Sequence, residues 1–400
     1  MDSIKEYCDA LAEDILDNMW DFSLKIYNEP ELAFHEHFAK QEQVSLLSKA
    51  GFEVDENIKD LDTAFVAKYG NGNPKIGIIS EYDALPDLGH ACGHNLICAS
   101  AVGSALVLKK VFEKYNLNGS IYVFGTPAEE DGGGKIIMLK YHYFDDIESI
   151  VFMHPTSDLT RLAGACLSSK QISIKYEGKS AHAGSHPDNG VNALSAANLF
   201  CVATGLLRQH FKSDVRFSYI ITNGGYETGL IPKESAIKCS LACFNLTYLE
   251  EVEKRIVNCA KGCGDALGCK TIVEVKDGYQ GRVPNTILSE VCRKELEDIK
   301  EPLLDGMPID FGGEDLGNVS RKIPICNPYV TIFPDYKISN HTENFRQLAG
   351  SEAGKRCVLV TMKCLSRTVV QLLSDPSIIN QAKEELKVRM EDELKAASTN

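Results

Sequence analysis

Two kinds of apolar pattern alternate along the first 166 residues of the chain. Apolar residues at helical spacing predict helices within the first forty residues, where Pro30 breaks the run, and over residues 95–115. Short apolar runs bounded by turn residues are typical of buried strands, and they lie at residues 65–69, 75–80, 120–125 and 147–152. Strands that alternate with helices predict an α/β fold, with a mostly parallel sheet and helices on both of its faces.

The pattern changes between residues 167 and 279. Helical spacing recurs over residues 191–211 and 249–267. The predicted strands, most of which alternate apolar with polar positions, lie at residues 171–176, 217–222, 236–244 and 271–275. This β-α-β-β-α-β order predicts a four-stranded antiparallel sheet with two helices on one face. We therefore interpret residues 167–279 as an inserted α+β domain.

The remaining segments, residues 1–166 and 280–400, are expected to form the other domain. Its second part contains a predicted buried strand at residues 329–333. Long helices are predicted over residues 351–373 and 381–397. A chain of 400 residues is long enough for two such folding units.

Composition and charge narrow the class of protein. Hydrophobic residues make up 44% of the chain and charged residues 24%, as in globular enzymes. A formal net charge of −14 argues against nucleic acid as a partner, because binding to a duplex requires a basic surface. Fourteen scattered cysteines and a charged start without an apolar segment predict a cytoplasmic protein with buried thiols. The longest nearly apolar run, residues 96–108, is too short to span a bilayer, so we expect no membrane association.

The segment after the predicted strand 75–80 combines acids, imidazoles and a thiol. Cys92 and His94, separated by one glycine, can face one metal ion from a tight turn. On its own, such a pair more often belongs to a polar loop with a buried cysteine than to a metal site. Asp83, eleven residues before His94, is a possible hydrogen-bond partner for an imidazole ligand and shifts the balance toward a metal site.

Three further segments carry candidate ligands at predicted strand ends. Of the adjacent carboxylates Glu129 and Glu130, one can coordinate a metal while the other takes a proton, although an acidic turn before a helix is the more ordinary reading. Taken alone, a histidine in the position of His154 or His341 is more often a core residue than a metal ligand. The full set nevertheless suffices for two divalent ions with a shared ligand: Cys92, His94, Glu130, His154 and His341. Mixed nitrogen, oxygen and sulfur ligands leave both Zn²⁺ and Mn²⁺ open.

Other chemistries have weaker support. The sequence contains no Gly-x-Ser-x-Gly segment for a serine nucleophile. Cys92 and His94 point poorly toward each other as a thiol and its base. In the inserted domain, His182 lies in either a plain polar turn or a position that reaches a developing oxyanion. A glycine-rich loop that can approach a substrate closely begins at Asn223, Gly224 and Gly225.

Several motifs together resemble the co-catalytic metallopeptidase family of aminoacylase, carnosinase and the indole-acetyl-amino-acid hydrolases. Asn95 and the segment 313–320 resemble the branch of Xaa-Arg dipeptidase and aminobenzoyl-glutamate hydrolase. The motifs shared with the family as a whole are Pro30–Glu36, Asp83–Pro86, His90–His94, Pro127–Glu130, Gly178–Ala183 and Asn340–Glu343.

The resemblance implies a role for each matched residue. Cys92 would bridge two metal ions, Glu129 would be the general base and later the acid, and Asp83 would orient a ligand. His182 would reach the active site of the partner subunit, and the inserted domain would be the lid and the dimerisation surface. The ligands that complete the two metal shells would be His94, Glu130, His154 and His341.

Two departures from the family pattern concern the substrate. Asn245 stands where the family often has an arginine that binds a substrate carboxylate, and Asn327 stands where a histidine often precedes the Pro-Tyr pair. An asparagine lacks the bidentate clamp of arginine. A substrate carboxylate is therefore held elsewhere, or the substrate lacks one at that point.

We expect a homodimeric amidohydrolase that uses metal-activated water on a small amide, such as a dipeptide or an N-acyl amino acid. One alternative is a relative that keeps the fold as a binding protein without activity. The other alternative is a cysteine hydrolase that uses Cys92.

Overall fold

Six strands form the central sheet of the first unit, which comprises residues 1–165, 282–310 and 314–390 of this computed structural model. The structure describes residues 1–333 and 337–398. Five strands of the central sheet lie in residues 1–165: β1 Glu53–Asp55, β2 Phe65–Gly70, β3 Lys75–Ser80, β4 Ser120–Gly125 and β5 Ser149–Val151. The strands β6 His154–Thr156 and β7 Arg161–Leu162 follow them and belong to a separate sheet. The helices of this part are α1 Asp2–Asn28, α2 His37–Lys49, α3 His94–Tyr115 and α4 Gly134–Lys140.

The second unit comprises residues 166–281, 311–313 and 391–398 among those described. Its elements are β8 Ser168–Glu177, α5 Ala193–Leu207, β9 Arg216–Asn223, β10 Glu234–Cys243, α6 Leu246–Ala266 and β11 Lys270–Asp277.

The chain then returns to the first unit. There it forms α7 Thr286–Asp298, α8 Leu316–Ser320, β12 Ile325–Cys326, β13 Pro328–Thr331, α9 Glu343–Ala349 and α10 Glu352–Ser374. The last helix, α11 Ser377–Ser398, begins in the first unit and ends in the second.

The central sheet has the order β1-β2-β4-β3-β5-β12 and is mostly parallel. Strands β4, β3, β5 and β12 run parallel to one another, while β2 pairs antiparallel with both β4 and the edge strand β1. Ile78 packs into one hydrophobic cluster with helices α1, α3 and α10, and the next residue, Ile79, packs into another cluster with α4 and α8. Helices therefore cover both faces of the sheet, which confirms the predicted α/β fold.

Two core helices of this unit are unusually apolar. By length and composition, α3 and α10 could each cross a membrane, but 83% and 72% of their most apolar windows are buried inside the structure. Helix α3 packs against both α1 and α10. Such burial is typical of the core helices of globular proteins.

The second unit contains the predicted antiparallel sheet, with the order β11-β8-β10-β9. Buried and more exposed residues alternate along β8, and Ile172, Ile174 and Tyr176 face a core that also contains residues of α5 and α6. The four-stranded sheet and its helices confirm the α+β prediction. Strand β9 forms one edge of the sheet.

Candidate metal centre

A glycine with a positive φ ends the loop between strand β3 and helix α3, and a candidate ligand lies on either side of it. Gly93 has a φ of +80° and immediately precedes α3, which begins at His94. A Cβ atom at Gly93 would lie 2.6 Å from Cγ of Pro155, so the close approach of the loop to β6 requires glycine. This turn brings Cys92 and His94 to the segment that contains His154.

The candidate ligands from four segments of the first unit lie close together. Sγ of Cys92 is 3.4 Å from Nε2 of His154. Oε1 of Glu130 is 3.4 Å from Nε2 of His341 and 3.8 Å from Nε2 of His94. All the side chains except that of His341 are mostly buried.

These donor atoms form overlapping groups that are small enough to surround a cation. Within each group, all the donor atoms lie within 4.8 Å of one another. The groups are Cys92 with His94 and His154, Cys92 with Glu130 and His341, and His94 with Glu129 and Glu130. The first two groups share Cys92 alone, so this thiol lies where a ligand common to two metal ions would lie.

Buried polar atoms without partners fit the binding of cations at this position. Among the described residues, Nε2 of His94, Oε1 of Glu130 and Oε2 of Glu81 are buried without a hydrogen-bond partner. Such atoms are rare in folded proteins because each carries an uncompensated desolvation cost. Imidazole, thiolate and carboxylate together are suitable ligands for divalent transition metals.

Asp83 fixes the orientation of the His94 ring. Its Oδ1 lies 3.0 Å from Nδ1 of His94, and its Oδ2 accepts a hydrogen bond from the amide of Glu130 at 2.8 Å. Burial opposes the charge on Asp83, but the adjacent His94 ring and these hydrogen bonds lower the pKa of its carboxyl. The ring therefore presents Nε2 to the other candidate ligands, which is the geometry expected of a metal-binding histidine.

Glu129 lies beside the ligands but belongs to only one of the three donor groups. Its Oε2 is 3.9 Å from Nε2 of His94. Burial, and then the negative charge of Glu81, raises the pKa of Glu129 well above that of an ordinary glutamate. A carboxylate with a raised pKa is a better proton acceptor at neutral pH than an ordinary one.

A buried ion network next to the centre was not predicted. Nζ of Lys135 lies 2.7 Å from Oε1 of Glu81 and 2.5 Å from Oδ1 of Asp315, and all three side chains are buried. Lys135 and Asp315 are 180 residues apart. The only signal in the sequence was the acidic character of the segments that contain Glu81 and Asp315.

His182, in the second unit, has a defined tautomer. Its Nδ1 accepts hydrogen bonds from the amides of Gly184 and Ser185 at 3.1 and 3.0 Å. The proton of the neutral ring is therefore on Nε2, and the ring is exposed. This histidine can donate a hydrogen bond through Nε2.

The residues predicted to bind substrate have different environments. Asn223 accepts a hydrogen bond from the amide of Gly225 at 3.1 Å, and Gly225 has a φ of +103°. A Cβ atom at Gly224 would meet only side chains at 3.5 Å or more. The loop is therefore a turn that depends on glycine at position 225 rather than at position 224.

Asn245, which stands where the family often has an arginine, has a structural role in the second unit. Its Oδ1 accepts a hydrogen bond from the amide of Tyr248 at 2.7 Å and caps the N-terminus of α6. Its Nδ2 donates to the carbonyl oxygen of Glu393 at 3.0 Å. Both polar groups of the side chain are therefore used within the protein.

Asn327, in the first unit, is also buried among protein groups. With its amide oriented to satisfy its neighbours, Oδ1 accepts a hydrogen bond from Nη1 of Arg282 at 3.2 Å and Nδ2 donates to the carbonyl oxygen of Pro328 at 3.3 Å. The departure from the family at this position is therefore accommodated inside the fold.

Comparisons with known proteins show the family to which this chain belongs. A family model described as peptidase family M20/M25/M40 matches residues 77–365. The Xaa-Arg dipeptidase of Mus musculus is 32% identical over 390 residues, which cover 93% of this chain and 89% of the relative. One chain of the p-aminobenzoyl-glutamate hydrolase of Escherichia coli is 29% identical over 322 residues, covering 76% of this chain and 66% of that relative.

A solved structure shares the fold. It is a dinuclear metal-binding peptidase of the M20 family from Bacillus subtilis, which aligns with a TM-score of 0.74 at 18% identity. The alignment covers 90% of this chain and 99% of that one. With its fold, its grouped ligands and a family match over most of its length, this chain belongs to peptidase family M20/M25/M40.

Proposed function

We propose that this protein hydrolyses the amide bond of a small substrate, with the help of two divalent metal ions. The observation that carries the proposal is the pair of ligand groups that share Cys92, beside the buried carboxylate of Glu129. The ligands would be Cys92, His94, Glu130, His154 and His341. When bound, divalent ions polarise an amide carbonyl and lower the pKa of water.

Residues of the chain transfer the proton, orient the ligands and stabilise the carbonyl oxygen. Glu129 accepts a proton from the attacking water and donates it to the leaving amine, for which its raised pKa is suited. The carboxylate of Asp83 hydrogen-bonds to Nδ1 of the His94 ring and to the backbone amide of Glu130, and so holds both in place. His182 donates from Nε2 to the oxygen of the carbonyl under attack, in the active site of the partner subunit.

We further propose dipeptides or N-acyl amino acids as the substrate class. The names of the relatives support this class, since one is an Xaa-Arg dipeptidase and another is a p-aminobenzoyl-glutamate hydrolase. Asn245 caps a helix, so either other groups hold a substrate carboxylate or the substrate lacks one at that point. The bound ions are Zn²⁺ or Mn²⁺, and the enzyme works in the cytoplasm.

Metal dependence tests the proposed function. We expect chelation with EDTA to abolish hydrolysis of a panel of dipeptides and N-acyl amino acids, and added Zn²⁺ or Mn²⁺ to restore it, because the carbonyl is then polarised again. Elemental analysis should find about two ions per chain, and Cys92→Ala should lower that number because both ligand groups contain Cys92.

The alternatives give different results in the same experiment. Fewer than one tightly bound ion per chain, with no turnover of any amide, would favour a binding protein without activity. Turnover that resists EDTA but is lost in Cys92→Ala would favour a cysteine hydrolase. Burial raises the pKa of the Cys92 thiol, which disfavours such a nucleophile in the metal-free protein.

We also propose that the second unit forms a homodimer through the edge strand β9. An edge strand offers unpaired backbone groups to a second copy. Ile220 on this strand is 64% exposed, and Val202 and Leu206 on α5 are also exposed. Exposed apolar residues beside an open sheet edge are typical of a contact surface.

Disruption of this edge should produce monomers. We expect Ile220→Lys to halve the mass measured by size-exclusion chromatography with light scattering, because a buried lysine at the contact lacks a partner. Ile309→Lys is the matched control, since Ile309 is 56% exposed but lies in the first unit. A wild-type protein that is monomeric at micromolar concentration, or an unchanged dimer in Ile220→Lys, would contradict the proposal.

A further inference from the structure

A carboxylate outside the ligand set holds the backbone directly before Glu129. Glu36 is fully buried at the start of α2. Its Oε1 accepts a hydrogen bond from the amide of Ala128 at 2.8 Å, and its Oε2 accepts one from Oγ1 of Thr63 at 2.8 Å. Each oxygen of this carboxylate therefore has a donor, and one of these donors is the backbone amide of the residue directly before Glu129.

The conformation of Ala128 explains why this peptide needs support. Ala128 has a φ of +60°, in the left-handed region that residues with a Cβ atom avoid. Its carbonyl oxygen accepts a hydrogen bond from the amide of Gly133 at 2.7 Å. A strained residue persists only where its surroundings hold it, and here Glu36 and Gly133 bind its N–H and C=O groups.

The backbone on the other side of Glu129 is held in the same way. Oδ2 of Asp83 accepts the hydrogen bond from the amide of Glu130 at 2.8 Å. Where the segment leaves β4, the amide of Thr126 donates to the carbonyl oxygen of Ser80 at 2.8 Å. Two carboxylates from distant parts of the sequence thus bind the backbone N–H groups of the residues directly before and after Glu129.

We propose that Glu36 is a positioning residue that sets the direction of the Glu129 side chain through the strained peptide at Ala128. The proposal rests on the function proposed above, in which Glu129 is the general base. Glu36 belongs to none of the three donor groups that could hold a metal ion. Its removal should therefore impair proton transfer and leave the metal ions in place.

A set of substitutions separates this role from charge and from general stability. Glu36→Gln keeps the length of the side chain. Its amide oxygen can accept a hydrogen bond from the amide of Ala128, while its NH₂ group can donate one to Oγ1 of Thr63. Burial raises the pKa of Glu36 to about 7, which indicates that this pocket tolerates an uncharged group of the same shape. Glu36→Leu fills similar space without an acceptor, and Glu36→Asp keeps the charge but is one methylene shorter.

The experiment measures kcat, KM and metal content of the Zn²⁺- or Mn²⁺-loaded full-length variants on an amide that the wild type hydrolyses. We expect Glu36→Leu and Glu36→Asp to lower kcat by up to about 100-fold, the scale of a small misplacement of a catalytic group. KM and metal content should change less than about twofold, as expected when substrate and metal binding are untouched. Glu36→Gln should retain most of the wild-type kcat.

Thr63→Val is the matched control, because it removes the other partner of Glu36 and leaves the bond to Ala128. We expect its kcat to be close to that of the wild type. If Glu36→Leu fails to fold, as judged by its melting transition, Glu36→Asp and Glu36→Gln still decide the question, since only the first should lose activity.

Two results would overturn the inference. One is a kcat for Glu36→Asp within twofold of the wild type. The other is a Glu36→Gln variant as impaired as Glu36→Asp, which would indicate a role for the charge. Failure of the proposed function is recognised separately, because the wild type would then hydrolyse none of the amides, or would hydrolyse them in the presence of EDTA, whatever the Glu36 variants do.

Discussion

Replacing Glu129 with glutamine is expected to lower kcat by about 10³-fold, within the range that general acid–base catalysis contributes. Glutamine has the shape of glutamate but cannot accept the proton of the attacking water. The variant should still bind metal, because Glu129 lies in only one of the three donor groups, whereas Glu130 lies in two. Initial rates on a substrate amide and elemental analysis of the same sample test both expectations.

The adjacent residue provides the matched control. Oε1 of Glu130 lies 3.4 Å from Nε2 of His341 and 3.8 Å from Nε2 of His94, so Glu130→Gln should weaken metal binding first. Excess metal should recover part of the activity of Glu130→Gln and none of that of Glu129→Gln. Near-normal turnover of Glu129→Gln would remove Glu129 as the base, and equal rescue of both variants by metal would make it a ligand instead.

The main elements could be predicted because burial leaves a strong periodic signal. Strands β3 and β4 are covered by helices on both faces, so most of their residues are apolar, and their predicted bounds, 75–80 and 120–125, match the structure. The separate sheet β6-β13-β7 was predicted only in part, because β13 overlaps the predicted strand 329–333 whereas β6 and β7 were missed. Strands β6 and β7 are three and two residues long, too short for a periodic pattern to develop.

Parts of the site were predictable for a different reason. Residues that follow neighbouring parallel strands meet at one edge of the sheet, so Cys92, Glu130 and His154 could be grouped from the order of the strands. Glu36 lies at the start of a helix, and its partner Ala128 is 92 residues away. No local pattern distinguishes such a buried acid from one in solvent, so its role follows only from the three-dimensional contacts.

Substitution of Lys135 is expected to have the largest effect on stability. Lys135→Met fills most of the same space but leaves Glu81 and Asp315 buried without their cation. Burial alone would lower the pKa of Lys135, but Asp315 and then Glu81 raise it, so the lysine is charged in the fold. Removing one partner of a buried ion network costs about 3–5 kcal/mol. Urea unfolding of the metal-free protein, followed by circular dichroism, measures this loss.

Two further variants show whether the loss arises from the buried charges. Lys140→Met removes an exposed lysine from the same helix and should change the free energy of unfolding by less than about 0.5 kcal/mol. Lys135→Met combined with Asp315→Asn removes one of the unpaired acids and should recover part of the stability. Equal stability of Lys135→Met and the wild type would mean that Glu81 and Asp315 become neutral at little cost. In that case the network would not be what holds Oε2 of Glu81 at 3.7 Å from Nε2 of His94.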